Sequence, residues 1–476
     1  MNRSGFYINH SQFQILNSTQ RHTHAYVIGQ PGTGKSRLIE SWVMQDILSG
    51  QGVGVIDPHG DLYRNLLYRI AQQPEIWPRV IIVDPCNPKW AINLNPLYPK
   101  DGISPEKTAW FLTDIILKIW RTNSTDAPRM AWLMVNTFIA LAEAGLSLLE
   151  LPRFLIDQEF REQLLPRIHN EYTQLYFRFE FPKNSGAVHQ WVTPLLNKLG
   201  QLILDSDIRP MLIRGQGLDF RKVLDDRCIL LVNISKGILG DGPSALLGAF
   251  IVAQLQKAAL ARANQYHRSS FFLYLDEFQN YTTDNIKDIL SESRKYALSL
   301  ILANQYLNQL TPDIRSAVLN TSGTLISFRV GYEDATQLAK AVFPSPDFLT
   351  KTKAEFSLQK MMSYPYLSFM EKKEGLGWDG LAQRIAGLPN REFWARNRNS
   401  FTPIRCRSFD MPNPIRTKDI EYKVQALIET SGSRYARLKS LNQSGGKEDF
   451  RTWFSAQGSE SQPARESNQD WPLWER

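Results

Sequence analysis

Residues 29–36 read GQPGTGKS, and this segment constrains the possible fold of the chain more than any other. It has the pattern G-x-x-x-x-G-K-[ST], it ends the apolar run 25–29, and it precedes a helical pattern that extends to about Leu48. The glycines let the backbone curl so that successive N–H groups point at phosphate oxygens, and the helix N-terminus strengthens that attraction. A strand, a glycine loop and a helix in this order predict a phosphate-binding loop.

The loop assigns a chemical role to individual side chains. Lys35 supplies a point charge for the β- and γ-phosphates, and the Ser36 hydroxyl is predicted to be a Mg²⁺ ligand. The sequence therefore predicts ATP and Mg²⁺ as cofactors. The other residues predicted to bind the nucleotide are Gly29, Gln30, Pro31, Gly32, Thr33, Gly34 and Arg37.

A phosphate-binding loop needs acidic partners on a neighbouring strand, and residues 271–277, FFLYLDE, supply them. We expect Asp276 to hold Mg²⁺, usually through water, and Glu277 to polarise the attacking water. The second carboxylate favours a motor-type ATPase over a switch or a kinase. Asp57 ends another predicted strand, where bracing of the Mg²⁺ site and capping of the next helix are equally good interpretations.

Residues 293–305, SRKYALSLILANQ, suggest two further functional side chains. Gln305 follows the apolar run 298–304, so in a parallel sheet it would lie beside the γ-phosphate, although it would also suit an ordinary polar strand end. Arg294 ends the preceding helix and should point away from its own phosphates. Its position fits an arginine supplied in trans to the phosphates of a neighbouring subunit, and it also fits a solvated surface arginine. Head-to-tail contacts of this kind generate rings.

The order of predicted elements indicates the fold class. Strand-like runs alternate with helical patterns in residues 25–84 and 228–330, which predicts an α/β fold with a mainly parallel sheet. Residues 104–209 show apolar spacing of three and four without a convincing strand, so we interpret them as an inserted all-α subdomain. Residues 1–103 and 210–416 are then the two parts of the core, with a short helix and a flexible tail in 417–476.

The tail contains a separate feature. Its end is rich in Gly, Ser, Gln and Glu, a composition typical of disorder, and it carries Trp453, Trp471 and Trp474. Aromatic residues in such a context suggest docking on a protein partner. A tail that folds back over the rest of the assembly is an equally good interpretation.

Composition narrows the remaining possibilities. Three cysteines without CxxC spacing fit a reducing cytoplasm and exclude a disulfide framework. The net charge of +8 permits a polyanionic partner without requiring one. No signal peptide is evident, and the most apolar helix, residues 242–263, is interrupted by Gln254, Gln256 and Lys257. We therefore expect a cytoplasmic protein with a buried core helix and no direct membrane insertion.

Five segments, taken in order, resemble a known group of motors. They are VIGQPGTGKS, VIDPHGDL, LYLDEFQNY, SRKYALSLILANQ and NTSGTLISFRVG. As a set, they resemble the HerA/FtsK group of P-loop ATPases, and within it the coupling ATPases of type IV secretion and conjugation. The resemblance covers about residues 20–405 and implies a RecA-like P-loop NTPase core with an inserted all-α domain.

The resemblance also implies an activity. Members of the group are typically hexameric rings that hydrolyse ATP to pump DNA, so DNA of unspecified strandedness and further copies of this chain are the expected partners. Lys35 and Ser36 match the Walker A pair, and Asp276 and Glu277 match the Walker B pair. Gln305 matches the motor glutamine, Arg294 the arginine finger, and Arg329 a second interface arginine. An ATPase that remodels protein rather than DNA, and a regulatory nucleotide-binding module, are the alternatives.

Overall fold

The computed structural model describes residues 22–98, 103–120, 127–281, 285–346, 377–398, 403–408 and 411–439. Its strands are β1 (Ala25–Ile28), β2 (Gly52–Asp57), β3 (Val80–Val83), β4 (Trp90–Ala91), β5 (Ile229–Asn233), β6 (Phe271–Leu275), β7 (Leu298–Asn304), β8 (Thr324–Ser327), β9 (Glu392–Asn397), β10 (Ile404–Arg407) and β11 (Arg437–Leu438).

The helices of the sheet region are α1 (Lys35–Leu48), α2 (Asp61–Ile70), α9 (Phe220–Asp225), α10 (Lys236–Leu239), α11 (Asp241–Leu260), α12 (Asn285–Glu292), α13 (Pro312–Thr321), α14 (Tyr332–Val342), α15 (Gly377–Ala386) and α16 (Lys418–Tyr435). Those between β4 and β5 that precede α9 are α3 (Pro105–Ile119), α4 (Pro128–Glu143), α5 (Leu151–Ile156), α6 (Gln158–Leu164), α7 (Glu171–Leu175) and α8 (Ser185–Ile203).

Nine strands form one central sheet in the order β10-β9-β8-β1-β7-β6-β2-β5-β3. All pairs from β8 to β3 are parallel, whereas β9 pairs antiparallel with both β8 and β10. Strands β1, β2, β3, β5, β6, β7 and β8 are buried along their whole length, as expected when helices cover both faces of a parallel sheet. The predicted α/β fold with a mainly parallel sheet is confirmed.

Strands β9 and β10 are the main elements of the sheet that the sequence analysis missed. The segment EFWARN is only partly apolar, and IRCR exposes three of its four residues at the open edge of the sheet. Neither segment has the continuous apolar run that marked the parallel strands. This antiparallel pair extends the sheet beside β8.

The helices α3 to α8 form a segment whose two ends lie side by side. The Leu94 N–H donates to the Met211 carbonyl at 2.6 Å, and the Leu218 N–H donates to the Asn93 carbonyl at 2.7 Å. Among the described residues between 103 and 209, no strand occurs. The segment has the geometry of an insertion, while the exact domain boundaries at 104 and 209 stay predictions.

Helix α11 is the apolar helix that the sequence analysis placed in the core. It is the one helix of the described residues long and apolar enough to cross a membrane, and 67% of its most apolar stretch is buried inside the protein.

Helix α16 covers β3, the edge strand at the end of the sheet away from β10. The Ile82 N–H of β3 donates to the Ser431 hydroxyl of α16 at 3.0 Å. A helix that pairs with an edge strand removes a surface prone to aggregation. The predicted flexible tail, with its three tryptophans, lies outside the described residues.

Gly323 provides a test of the pairing that positions β1. Its N–H donates to the Thr23 carbonyl at 2.7 Å, and a Cβ at this position would lie 2.9 Å from the same oxygen and closer still to the Thr23 side chain. We expect Gly323→Ala to lower the free energy of unfolding by about 1–3 kcal/mol, because the start of β8 must move away from β1. Urea unfolding measures this change.

Gly331→Ala is the matched control, because no atom lies within 4 Å of the added methyl group and φ is −61°. We expect a loss below about 1 kcal/mol at this site, because Gly331 is the N-cap of α14 and alanine is a weaker N-cap than glycine. Equal effects of the two substitutions would contradict the close approach of β8 to β1.

Candidate nucleotide-binding site

The loop between β1 and α1 has the backbone that the glycine pattern predicts. Gly32 and Gly34 have φ angles of +74° and +112°, which side chains other than glycine rarely adopt. A Cβ on Gly29 would lie 2.5 Å from the Cβ of Phe328. The loop therefore combines left-handed turns with a close approach to β8, and both features require glycine.

Backbone bonds to the ends of β7 and β8 hold the start of this loop. The Gly29 N–H donates to the Asn304 carbonyl at the end of β7, and the Gln30 N–H donates to the Arg329 carbonyl at 2.8 Å. Thr33 is buried, and its hydroxyl donates to the Gln30 carbonyl at 2.7 Å. These bonds fix the curl of the loop above the carboxyl end of the sheet.

Lys35 and Ser36 lie at the start of α1 with different exposures. The Lys35 side chain is buried, and its ammonium donates to the Gly29 and Gln30 carbonyls of the loop. Ser36 is exposed at the same end of the helix. Burial lowers the pKa of Lys35, while the nearby Glu277 and Asp276 carboxylates act in the opposite direction. The ammonium is therefore held at the loop, and the hydroxyl is accessible to a ligand.

The other predicted nucleotide-binding residues have less central positions. Pro31 is exposed at the outside of the loop. Arg37 forms an ion pair with Glu40 at 2.9 Å and a hydrogen bond with Asn413. Arg329 donates to Asn390 Oδ1 at 2.9 Å, so its guanidinium is bound within its own chain beside the loop.

A connection next to β9 touches the loop, a contact that the sequence analysis missed. The Arg391 N–H donates to the Thr33 carbonyl at 2.8 Å, and the Ser408 N–H donates to the Arg391 carbonyl at 2.7 Å. Arg391 has a φ of +71°. A Cβ on Gly34 would lie 3.3 Å from the Ser408 hydroxyl oxygen. An isolated non-glycine residue with positive φ leaves no signal in a sequence, so these residues were not found.

The acidic side chains converge from β2 and β6. Asp276 directly follows β6 and is buried. Asp57 ends β2, and its two carboxylate oxygens accept from the His59 N–H at 2.8 Å and the Tyr63 N–H at 2.9 Å. Since Tyr63 lies in the first turn of α2, Asp57 caps that helix. Of the two interpretations of Asp57, the structure supports capping.

The environment of Asp276 favours a proton. Burial raises the pKa of this carboxyl to about 7, with the charges of Asp57 and Glu277 acting in the same direction and Lys35 opposing them. A cation bound here would stabilise the ionised form, because an opposite charge lowers a carboxyl pKa. The site is therefore suited to a positively charged ligand.

Glu277 has a strained backbone and two amide partners. Its φ and ψ are 46° and 49°, a left-handed conformation that is uncommon outside glycine. Gln305 Nε2 donates to Glu277 Oε1 at 2.9 Å, and Gln279 Nε2 donates to Glu277 Oε2 at 2.7 Å. Gln309 Oε1 in turn accepts from the Gln305 N–H at 3.0 Å. Gln305, the residue after β7, thus lies beside Glu277, while its predicted place beside a γ-phosphate stays a prediction. The sequence analysis missed Gln279 and Gln309.

Arg294 lies at the amino ends of the parallel strands, opposite the carboxyl ends that carry the loop. It belongs to the short 3-10 turn Ser293–Tyr296, which precedes β7, and it is exposed. Because β7 spans seven residues between this turn and Gln305, the two ends are separated by about 20 Å. The structure brings Lys35, Asp276, Glu277 and Gln305 together and places Arg294 apart from them.

The residues present fit a Mg²⁺–nucleotide complex. The described residues contain no group of three or more His, Cys, Asp and Glu side chains arranged to bind a metal ion. Mg²⁺ in nucleotide sites typically takes one or two protein oxygens, with phosphates and waters completing the shell. The accessible Ser36 hydroxyl and the buried Asp276 carboxylate are a donor set of this kind.

No protein-family model matches the sequence, and no curated protein matches it. Solved structures match the fold. The plasmid coupling protein TrwB, in complex with the GTP analogue GDPNP, is 16% identical with a TM-score of 0.55, over 84% of this chain and 88% of that chain. TrwB with ADP and Mg²⁺ is 15% identical with a TM-score of 0.56 over the same shares. VirB4 of Thermoanaerobacter pseudethanolicus is 13% identical with a TM-score of 0.51, over 83% of this chain and 91% of that chain. The chain has the P-loop NTPase fold of these proteins, as its motifs predicted.

The raised pKa of Asp276 predicts how the stability of the nucleotide-free protein depends on pH. The folded state keeps this proton up to about pH 7 and the unfolded state loses it near pH 4, so stability falls by roughly 1.4 kcal/mol per pH unit between them. Asp276→Asn removes this loss. We expect its free energy of unfolding to exceed that of the wild type by more at about pH 8 than at about pH 4.

Urea unfolding at a series of pH values checks this expectation. Asp226→Asn, at an exposed aspartate that follows α9, is the control and should leave the pH dependence between pH 4 and pH 8 unchanged. Parallel curves for the wild type and Asp276→Asn would show that Asp276 keeps an ordinary pKa in the folded protein.

Proposed function

We propose that this chain is a Mg²⁺-dependent ATPase that assembles into a hexameric ring and moves DNA. The observation that carries the proposal is the convergence of Lys35, Asp276 and Glu277 at the carboxyl end of the sheet, with Gln305 bonded to Glu277 at 2.9 Å. A regulatory module that only binds nucleotide has no need of a carboxylate held for proton transfer. The complete set therefore favours hydrolysis over the regulatory alternative.

The proposed steps of ATP hydrolysis follow from the side chains at the carboxyl ends of the strands. Lys35 and the loop N–H groups hold the β- and γ-phosphates, and Ser36 and Asp276 would hold Mg²⁺, which neutralises phosphate charge when bound. Glu277 accepts a proton from the attacking water as the water oxygen bonds to the γ-phosphorus and the bond to the β-phosphate oxygen breaks. Gln305 orients that water or responds to the γ-phosphate from the end of β7.

Arg294 supports the ring. This exposed arginine lies at the amino ends of the strands, about 20 Å from the loop of its own chain, so it cannot reach the phosphates bound there. It is exposed to solvent, where a neighbouring subunit would pack. In a head-to-tail assembly, two different faces of the subunit meet, and such contacts close into rings. Arg294 then acts in trans on the transition-state charge of the next subunit.

DNA is the proposed substrate of the motor. TrwB, which shares the fold, is a bacterial conjugative coupling protein, and the net charge of +8 is compatible with a polyanion. Contacts from lysines, arginines and loop amides to the DNA backbone would make binding tolerant of sequence. An ATP hydrolysis rate that DNA does not change would instead favour an ATPase that remodels protein and uses the same nucleotide chemistry. The three thiols, all free in the structure, support action in a reducing cytoplasm.

Mixed assemblies test the trans arrangement directly. We expect Glu277→Gln to lower ATP hydrolysis at least about 100-fold. Arg294→Ala should lower it by roughly a thousandfold. In a mixture, a subunit with an intact Glu277 can lie next to a subunit with an intact Arg294. Mixing equal amounts should therefore restore roughly a quarter of the wild-type rate.

The rate of phosphate release per subunit, measured over a range of protein concentrations, provides the readout. Arg167→Ala, at an exposed arginine in the helical segment, is the matched control and should behave as the wild type. Full activity of Arg294→Ala on its own would make this arginine a surface residue. If the mixture gains no activity, the two groups belong to the same subunit.

Salt dependence tests the DNA proposal. If backbone phosphates dominate the contact, DNA of any sequence should raise the hydrolysis rate, and the concentration for half-maximal stimulation should increase by a factor of 10 or more between about 50 and 200 mM salt. Single- and double-stranded DNA are compared in the same series. A rate that DNA leaves unchanged at low salt would move the protein-remodelling alternative ahead.

A further inference from the structure

The turn after β6 is rigid on both sides of Gln279. Phe278 is fully buried, and the Asn280 N–H donates to the Glu277 carbonyl at 3.0 Å. Asn280 Oδ1 accepts from Lys236 Nζ at 2.9 Å, and the Tyr281 hydroxyl donates to the Ile56 carbonyl at 3.2 Å. The residues that flank Gln279 are therefore held by burial and hydrogen bonds, which fix the position of its backbone.

The Glu277 carboxylate is held between two elements. Gln279 Nε2 reaches Oε2 from the turn at 2.7 Å, and Gln305 Nε2 reaches Oε1 from the end of β7 at 2.9 Å. Glu277 is only 5% exposed, and the charge of Lys35 lies near it in the loop. A buried carboxylate needs hydrogen bonds to stay charged, and here two neutral amides supply them. Loss of either amide leaves one oxygen without its partner.

We propose that Gln279 is a positioning residue for hydrolysis, which fixes the carboxylate of Glu277 for proton transfer. Gln305 holds only Oε1, and a single hydrogen bond leaves the carboxylate able to pivot about its last bond. The second amide, on Oε2, removes that freedom. A near-attack geometry depends on such fixed orientations, because a small misplacement of a catalytic group costs orders of magnitude in rate.

The role of a hydrogen-bond donor can be separated from that of a space-filling side chain. Gln279→Met keeps the length and much of the volume but has no N–H group. Gln279→Glu keeps the shape and places a second carboxylate against Glu277. A packing role predicts that Met substitutes well, whereas a positioning role predicts that Met, Glu and Ala all fail.

The inference rests on the proposed ATPase function, and the experiment distinguishes the two. Steady-state hydrolysis gives kcat and KM for the wild type, Gln279→Met, Gln279→Glu, Gln279→Ala and Glu277→Gln. Titration with a fluorescent, non-hydrolysable ATP analogue gives the nucleotide Kd, and circular dichroism shows whether each variant is folded. Gln158→Met is the matched control, because Gln158 makes a similar 2.8 Å contact with Glu162 on an exposed helix face.

We expect kcat to fall about 10- to 100-fold in Gln279→Met and Gln279→Ala, and at least as far in Gln279→Glu. Nucleotide Kd and KM should stay within about threefold of the wild type, since the hydrogen bond that Gln279 donates goes to Glu277. Gln158→Met should match the wild type throughout.

Other outcomes overturn the inference in distinguishable ways. A wild-type rate in Gln279→Met, with Glu277→Gln inactive, shows that the amide donor is not needed while the proposed function stands. A fall in kcat that is matched by a weaker Kd shows a structural role for the turn. A wild-type protein that binds the analogue but does not hydrolyse ATP overturns both the function and the inference.

Discussion

The parallel pairing of β7 between β1 and β6 is the interaction on which the candidate site depends. Its register aligns Asn304 with Ile28 of β1 and Leu302 with Leu275 of β6. Because the ends of the three strands lie at one level, the residues that follow them emerge together. The loop, the acidic pair and the glutamine meet for this reason, although they are far apart in sequence. A slip of one residue would turn every side chain of β7 to the other face.

Several buried charged side chains lie at the carboxyl ends of these strands, where the apolar sheet cannot solvate them. One Asp57 oxygen accepts from the His59 N–H and the other from the Tyr63 N–H in the first turn of α2, and the charge of Asp57 raises the pKa of Asp276. Lys35 opposes that rise from the loop. A bound cation would lower the pKa of Asp276 and so favour its ionised form.

The sequence predicted those parts of the molecule that have a local pattern. Apolar runs of four to seven residues marked the parallel strands, and the glycine spacing marked the loop between Gly29 and Ser36. Strand order depends on contacts over long sequence distances, so the sequence did not predict that β7 lies between β1 and β6. Arg391, Ser408 and Gln279 were missed because their positions depend on tertiary contacts, such as the bond between Arg391 and Thr33, which no periodicity encodes. Arg294 was predicted to point away from the phosphate-binding loop of its own chain, and it lies at the opposite ends of the strands. Its role in trans stays a prediction.

Strand β7 has a consequence for communication between subunits. It is buried at all seven residues, it begins next to the turn that carries Arg294, and it ends at Gln305. A strand that is bonded on both sides and packed on both faces transmits a displacement along its length with little loss, because a close-packed interior is hardly compressible. In the proposed ring, the occupant of one site would pull on one end of this strand, and the carboxylate of the next site would be moved by the other end. Two neighbouring nucleotide sites of the proposed ring would thus be connected through about 20 Å of one buried strand.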